Sequence, residues 1–270
     1  MRLLLTVLAS LVLCACEGPI SIVKFNTWGE AFIEEGLPAS KFEDGWSVKF
    51  TKFLVVIRDI AIVDSAGTVG SQQPGAKAFD LTKKGPVEVY SAAAPAKAYD
   101  VVRYAIAPDG NAEATNIDAA DLALLKSRTA SLIVIGTGTK AGVTKTIEWS
   151  FTNNTLYDNC EKAMGMGKGV VLTPGKEIGV QLTVHGDHFF YDQLSGDAKL
   201  RFDPIANADT NGDNKVTLDE VQAVQLTSLP QGQYGTTGVA NVRNLREFIT
   251  QNMRSIGHYE GEGECSPKAR

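Results

Sequence analysis

WSVKFTKFLVVIRDIAI, residues Trp46–Ile62, is the stretch on which the fold class turns. It is dense in Val, Ile and Phe, with Ser47, Lys49, Thr51 and Lys52 interleaved, the pattern of one or two half-buried strands. Working outward, similar short runs recur at Ile20–Phe25, Val87–Tyr90, Val101–Ala107, Ser131–Gly136, Lys145–Phe151 and Val180–Val184. Turn-forming clusters separate them, among them Asp64-Ser-Ala-Gly67, Lys83-Lys-Gly-Pro86, Ala107-Pro-Asp-Gly110 and Thr173-Pro-Gly175. Many short strands at that spacing predict a mainly β fold, an antiparallel β-sandwich. Helical patterning interrupts it at Glu30–Glu35 and Asp118–Arg128. It returns after residue 199, at Phe202–Ala208, Leu218–Leu226 and Val242–Ile256. The expected organisation is a leader over 1–15, a β-rich sandwich over 16–198, and a small C-terminal helical EF-hand-like segment with a tethered tail over 199–270.

The leader reading rests on Arg2 followed by the short apolar run Leu3–Leu13, too short for a span of about 20 residues. Leu13-Cys-Ala-Cys16 resembles the lipobox of bacterial lipoproteins, which implies lipidation at Cys16 and a membrane partner through the N-terminal lipid. An ordinary secretory signal cut nearby is the alternative. The resemblance places the protein in the bacterial cell envelope, lipid-anchored on the periplasmic side of the outer membrane or at the cell surface. With Cys14 in the leader and Cys16 lipidated, Cys160 and Cys265 remain, an even pair that suggests a disulfide in an oxidising compartment. Metal binding by those thiols is the competing use. Losing Arg2 with the leader leaves 25 basic against 31 acidic side chains, a balance that argues against a nucleic-acid partner.

Asp209–Glu220, DTNGDNKVTLDE, has the spacing of a twelve-residue calcium loop and resembles the EF-hand. Calcium takes six to eight oxygens, supplied from positions 1, 3, 5, 7, 9 and 12. Those positions are Asp209, Asn211, Asp213, the Lys215 carbonyl, Thr217 and Glu220. Thr217 and Glu220 also have the spacing of a capping box, so the exit helix should start where the ion geometry requires. Position 6, usually Gly, is Asn214, which tolerates the left-handed conformation at modest cost. With three acidic ligands, the expected affinity lies in the extracellular range of ~10⁻⁴–10⁻³ M. Asp109–Ala120 fails as a partner loop because it ends in Ala120, so a structural clamp is expected in place of a paired sensor.

Two of the three histidines lie in Val184-His-Gly-Asp-His188. In a regular strand His185 and Asp187 share a face and His188 opposes them, unless a bulge at Gly186 brings His188 round. His185, Asp187 and His188 would then present two imidazoles and a carboxylate to copper or zinc. His258, ahead of Tyr259-Glu-Gly-Glu-Gly263, joins them if the disulfide draws the tail back. Met164 and Met166 add a soft-ligand signal that favours copper. The competing reading has the histidines bonding backbone groups and stapling the last strand to the C-terminal segment. Tyr99-Asp-Val-Val-Arg-Tyr-Ala-Ile106 and the β block after it resemble periplasmic β-sandwich proteins associated with methanobactin and copper handling. That resemblance implies a copper role. The sequence carries no G-x-S-x-G, H-E-x-x-H or phosphate-loop motif, and the expectation is that the protein is not an enzyme.

Overall fold

The computed structural model describes residues 18–270. The leader and Cys16 lie outside the described residues. The fold is mostly β, two mixed sheets packed as a sandwich around one main core.

The Trp46–Ile62 stretch forms one strand, Ser47–Val63, at the centre of the larger sheet. Its consecutive apolar residues divide between two cores. Phe53, Val55 and Ile57 face the main core, while Leu54 and Val56 face a smaller one under the helix Ala119–Ser127. Alternation has a period of two, so a one-residue insertion flips every later side chain to the other face. Two such insertions occur here. The register shifts between Phe50 and Lys52, and again between Arg58 and Ala61, where Asp59 has φ 57°. The main-core residues therefore run Val48, Phe50, then Phe53, Val55, Ile57, then Ile60, Ile62. Bulges let one 17-residue strand serve a curved sheet without exposing its apolar face.

Along the larger sheet, Lys215–Thr217, Val143–Phe151, Leu132–Lys140, Ser47–Val63, Val101–Ile106, Thr155–Asp158 and Ser266–Ala269 lie side by side. The smaller sheet is ordered Gly257–Tyr259, Glu177–Val184, Ile20–Trp28, Val87–Pro95. The expectation of antiparallel sheets needs correcting on three pairings. Ile20–Trp28 runs parallel to Glu177–Val184, Val143–Phe151 to Lys215–Thr217, and Ala76–Asp80 to Glu113–Ala114. Each parallel pair joins segments far apart in sequence, which a hairpin-by-hairpin reading of turns does not reveal.

The helices are shorter than their sequence patterns. Leu218–Ala223 stops before Val224, and Leu245–Met253 begins only after Asn244, whose side chain accepts a hydrogen bond from Glu247 N. Val216, Val221, Leu245, Ile249 and Met253 belong to the same core as the sandwich strands. Trp149 Nε1 donates to the Val216 carbonyl at 3.1 Å, tying the acidic loop to the sheet. The Cys160–Cys265 disulfide is formed, and beside it Glu161 N bonds the Glu264 carbonyl at 2.8 Å.

Candidate metal centre

His185 follows the last residue of the Glu177–Val184 strand, and its amide bonds the Ile256 carbonyl at 2.9 Å. The chain then leaves the sheet. Gly186 has φ −85°, and Asp187–Phe190 forms a single 3₁₀ turn that swings His188 back towards His185. A 3₁₀ turn thus does what the sequence reading assigned to a bulge. Close packing explains Gly186: a Cβ there would lie 2.8 Å from Ile33 Cγ1 and 2.9 Å from Phe50 Cε2. Phe189 and Phe190, both fully buried in the aromatic core, anchor the turn from below.

His258 arrives from the C-terminal tail. Gly257–Tyr259 pairs antiparallel with the Glu177–Val184 strand and sets His258 opposite Thr183. The Tyr104 hydroxyl donates to the His258 carbonyl at 3.0 Å, and Gly257 packs on the stacked Tyr104–Tyr157 pair. A Cβ on Gly257 would lie 2.6 Å from the Tyr104 hydroxyl and 2.6 Å from the Tyr157 ring. Five residues past His258 the tail folds back on itself at Tyr259–Gly263, and the disulfide follows at Cys265.

The outcome is a buried group of three imidazoles, His185, His188 and His258, with one ring nitrogen from each within 4.8 Å of the others. Asp187, expected as the third ligand, sits beside this group. One of its oxygens accepts the Tyr191 hydroxyl at 3.0 Å, and the other is buried without a partner. Burial, reinforced by the neighbouring rings, holds His188 well below the usual histidine range. Burial also lowers His185 against the pull of Asp187, and lowers His258 together with the nearby His185 ring. All three are therefore neutral at pH 7, the form in which imidazole binds a metal.

The tautomer of His188 follows from its partner. The Ser255 hydroxyl lies 2.8 Å from the Asn252 carbonyl and 2.8 Å from His188 Nδ1; when it donates to the carbonyl its oxygen accepts from Nδ1. That leaves the lone pair on Nε2, the arrangement in which an outer partner orients a metal-binding histidine. His258 has both ring nitrogens buried without a partner, and so has His185 its Nε2. Unpaired buried nitrogens are costly, and a cation would satisfy the one lone-pair nitrogen of each ring. One feature opposes immediate coordination. The His185 and His258 rings are stacked, 3.8 Å between centroids and 5° between planes. A metal lies near the plane of each imidazole it binds, at about 2.0–2.1 Å, so one of these rings must turn to share an ion.

A second convergence of ligands lies in the acidic loop. Asp209, Asp213 and Glu220 bring carboxylate oxygens within 4.8 Å of one another. Asn214 has φ 62°, and the Thr217–Glu220 capping box is formed. Glu220 Oε2 accepts from Thr217 N at 2.8 Å, while Oε1 is buried without a partner. Asn211 Oδ1 accepts from Asp213 N, and the Lys215 side chain points away to Glu148 at 2.7 Å. Lys145 was not foreseen. Its ammonium lies 2.6 Å from Asp209 Oδ2 and 3.0 Å from Asn214 Oδ1. Met164 and Met166 are exposed on their loop, whereas the three imidazoles are buried.

Sequence reasoning also missed Ser255, Glu30 and Glu262. Glu30 Oε2 lies 3.5 Å from His185 Nε2, and Glu30, His185 and Glu262 form a further cluster of ligand atoms within 4.8 Å.

No family model matches the chain, and no curated protein matches it. Among solved structures the chain is similar to MbnP from Methylosinus trichosporium, at 12% identity and a TM-score of 0.35, over 66% of this chain and 78% of that one. A likeness that distant carries no argument about the chemistry here.

Proposed function

We propose that the protein binds one transition-metal ion, copper or zinc, on His185, His188 and His258, and that its role is to hold the ion without turnover. The observation that carries this reading is the buried trio of neutral imidazoles, with three of its ring nitrogens lacking any partner. Imidazole donors suit both metals, and the general affinity order of divalent ions puts copper above zinc. Three donors fill a trigonal copper site, whereas zinc requires a fourth ligand from solvent. When bound, the ion would supply the positive charge that pairs one lone-pair nitrogen of each ring. The chain's contribution is to keep the rings unprotonated, to orient His188 through Ser255, and to exclude bulk water. The disulfide supports an oxidising location, in keeping with a lipid-anchored envelope protein. Titrating metal-free protein with copper against a chromophoric chelator tests this. One ion per chain is expected, weakened at least about tenfold in His188→Asn and in Ser255→Ala. Wild-type affinity in His188→Asn would overturn the assignment.

The acidic loop supports a second reading, a structural calcium clamp on Asp209, Asn211, Asp213, Lys215, Thr217 and Glu220. It rests on the convergence of three carboxylates and on the unpaired Glu220 Oε1. Lys145 must leave Asp209 for calcium to enter, which keeps the affinity modest. Calorimetry should show Glu220→Gln abolishing calcium binding and Lys145→Met strengthening it. Unchanged binding in both variants would remove the loop from consideration.

A further inference from the structure

A cavity of about 180 Å³ opens from solvent onto the edge of the histidine group, lined by Glu30, Phe32, His185, Asp187 and Glu262. Three carboxylates face it, and among the described residues no lysine or arginine forms an ion pair with any of them. Glu30 is partly buried, and its carboxylate shares the cavity wall with those of Asp187 and Glu262. Like charges held together without a counter-charge are unfavourable unless a cation joins them.

The second, independent observation is His185. Its side chain is 92% buried by the 8% that remains exposed, and its Nε2 has no hydrogen-bond partner. That nitrogen lies 3.5 Å from the Glu30 carboxylate, and both residues line the same cavity. Glu30, Glu262 and His185 bring two oxygens and one nitrogen within 4.8 Å of one another. This donor set differs in kind from the inner one. Two carboxylates and one imidazole suit a divalent ion of harder character that keeps some of its water, whereas three neutral imidazoles do not.

We propose that Glu30, Glu262 and His185 form a second divalent-cation site at the mouth of the histidine group, open to solvent and sharing His185 Nε2 with the inner trio, so that one of the two sites is filled at a time. Glu262, exposed on the C-terminal tail, meets the hydrated ion first. Glu30 and His185 form the inner wall. Because His185 belongs to both sets, an ion at the mouth lies on the route to His188 and His258. The mouth site does not depend on the inner trio's being a copper site, since its other two ligands take no part there.

The probe is cobalt(II), titrated into metal-free protein and followed by calorimetry and visible absorption. The background is His188→Ala with His258→Ala, which removes the inner set and keeps the mouth. This chain should bind one cobalt at the mouth, and adding Glu262→Gln or Glu30→Gln should weaken it at least about tenfold. Neither added change touches the acidic loop, so any cobalt bound there cancels in the comparison. Cobalt affinity and stoichiometry unchanged by both added substitutions would overturn the proposal. If the double-alanine background fails to fold, the wild-type chain carries the test. There the probe is manganese(II), which favours carboxylate over imidazole, and Glu30→Gln with Glu262→Gln should weaken it at least about tenfold and leave copper(I) affinity within about threefold. Equal losses for both metals would show one site, not two. Loss of copper binding by His188→Asn alone, with manganese retained, belongs to the inner site and leaves the mouth intact.

Discussion

Each of the three histidines is held by a different device, and the differences are chemical. His188 is fixed by a hydroxyl, His185 by the end of a strand, and His258 by a strand packed on two tyrosines. Their lowered proton affinity has a consequence for stability. In the unfolded chain each ring takes a proton near its ordinary value of 6.5, while in the folded chain burial delays that step. The unfolded state therefore binds more protons below about pH 6.5, and stability rises with pH through that window. Metal-free protein should melt at progressively lower temperature from pH 7 towards pH 5, and His188→Asn should flatten the slope. Glu30 acts in the opposite sense, because its raised carboxyl favours the folded state below its ordinary value of 4.5. Glu30 therefore offsets part of the histidine slope just above pH 4.5, and below it the lowered carboxylates Asp64, Glu148, Asp203, Asp209 and Glu247 steepen the loss of stability. A melting temperature independent of pH between 5 and 7 would contradict the buried, neutral state of the trio. At this scale the sequence showed which residue types could bind metal, since His185, His188 and His258 could be named from composition and spacing alone. Ser255 and Glu30 could not, because a serine and a glutamate carry no signal until a fold sets them against a histidine.

Short elements make the site. The 3₁₀ turn Asp187–Phe190 and the strand Gly257–Tyr259 are each only a few residues long, and neither shows a periodicity that a sequence pattern could detect. Longer elements were legible, as with the Ser47–Val63 strand, although its two phase shifts were not. A bulge leaves no compositional mark, and counting alternate residues across it gives the wrong face. The acidic loop was the most legible element, because twelve positions constrain one another. Its left-handed Asn214 and its capping box both occupy the expected places. Gly257 offers a test at the scale of an element. Gly257→Ala adds one methyl group against Tyr104 and Tyr157 without touching a ligand. It should displace His258 and weaken copper binding at least about tenfold, at a stability cost of about 1–3 kcal/mol from overpacking. Asn244→Ala provides the contrast. Removing that cap should cost roughly 1 kcal/mol in chemical denaturation and leave metal affinity unchanged.

Across the whole molecule, the metal centre depends on a long covalent closure. Cys160 and Cys265 are 105 residues apart, and their bond holds the tail that carries His258 beside the strand that carries His185. In the chain-entropy view a loop of that length contributes ~4–5 kcal/mol. Replacing both cysteines by serine should lower stability by about that amount and also loosen His258, so copper affinity falls although no ligand has changed. Pairing of the two cysteines was legible from their even number. That the pair would bring His258 to the site followed only as a condition, because contacts between residues about seventy positions apart are set by the sheet order. The parallel pairing of Ile20–Trp28 with Glu177–Val184 belongs to the same class of long-range fact.

X-ray absorption of the copper-loaded protein shows whether three imidazoles share one ion. A first shell of about three nitrogen donors is expected, with the outer-shell scattering of imidazole rings, at the 2.0–2.1 Å typical of histidine ligation. That pattern should fall to two rings in His258→Ala. A shell containing sulfur, as binding at Met164 and Met166 would give, or one lacking imidazole scattering, would contradict it.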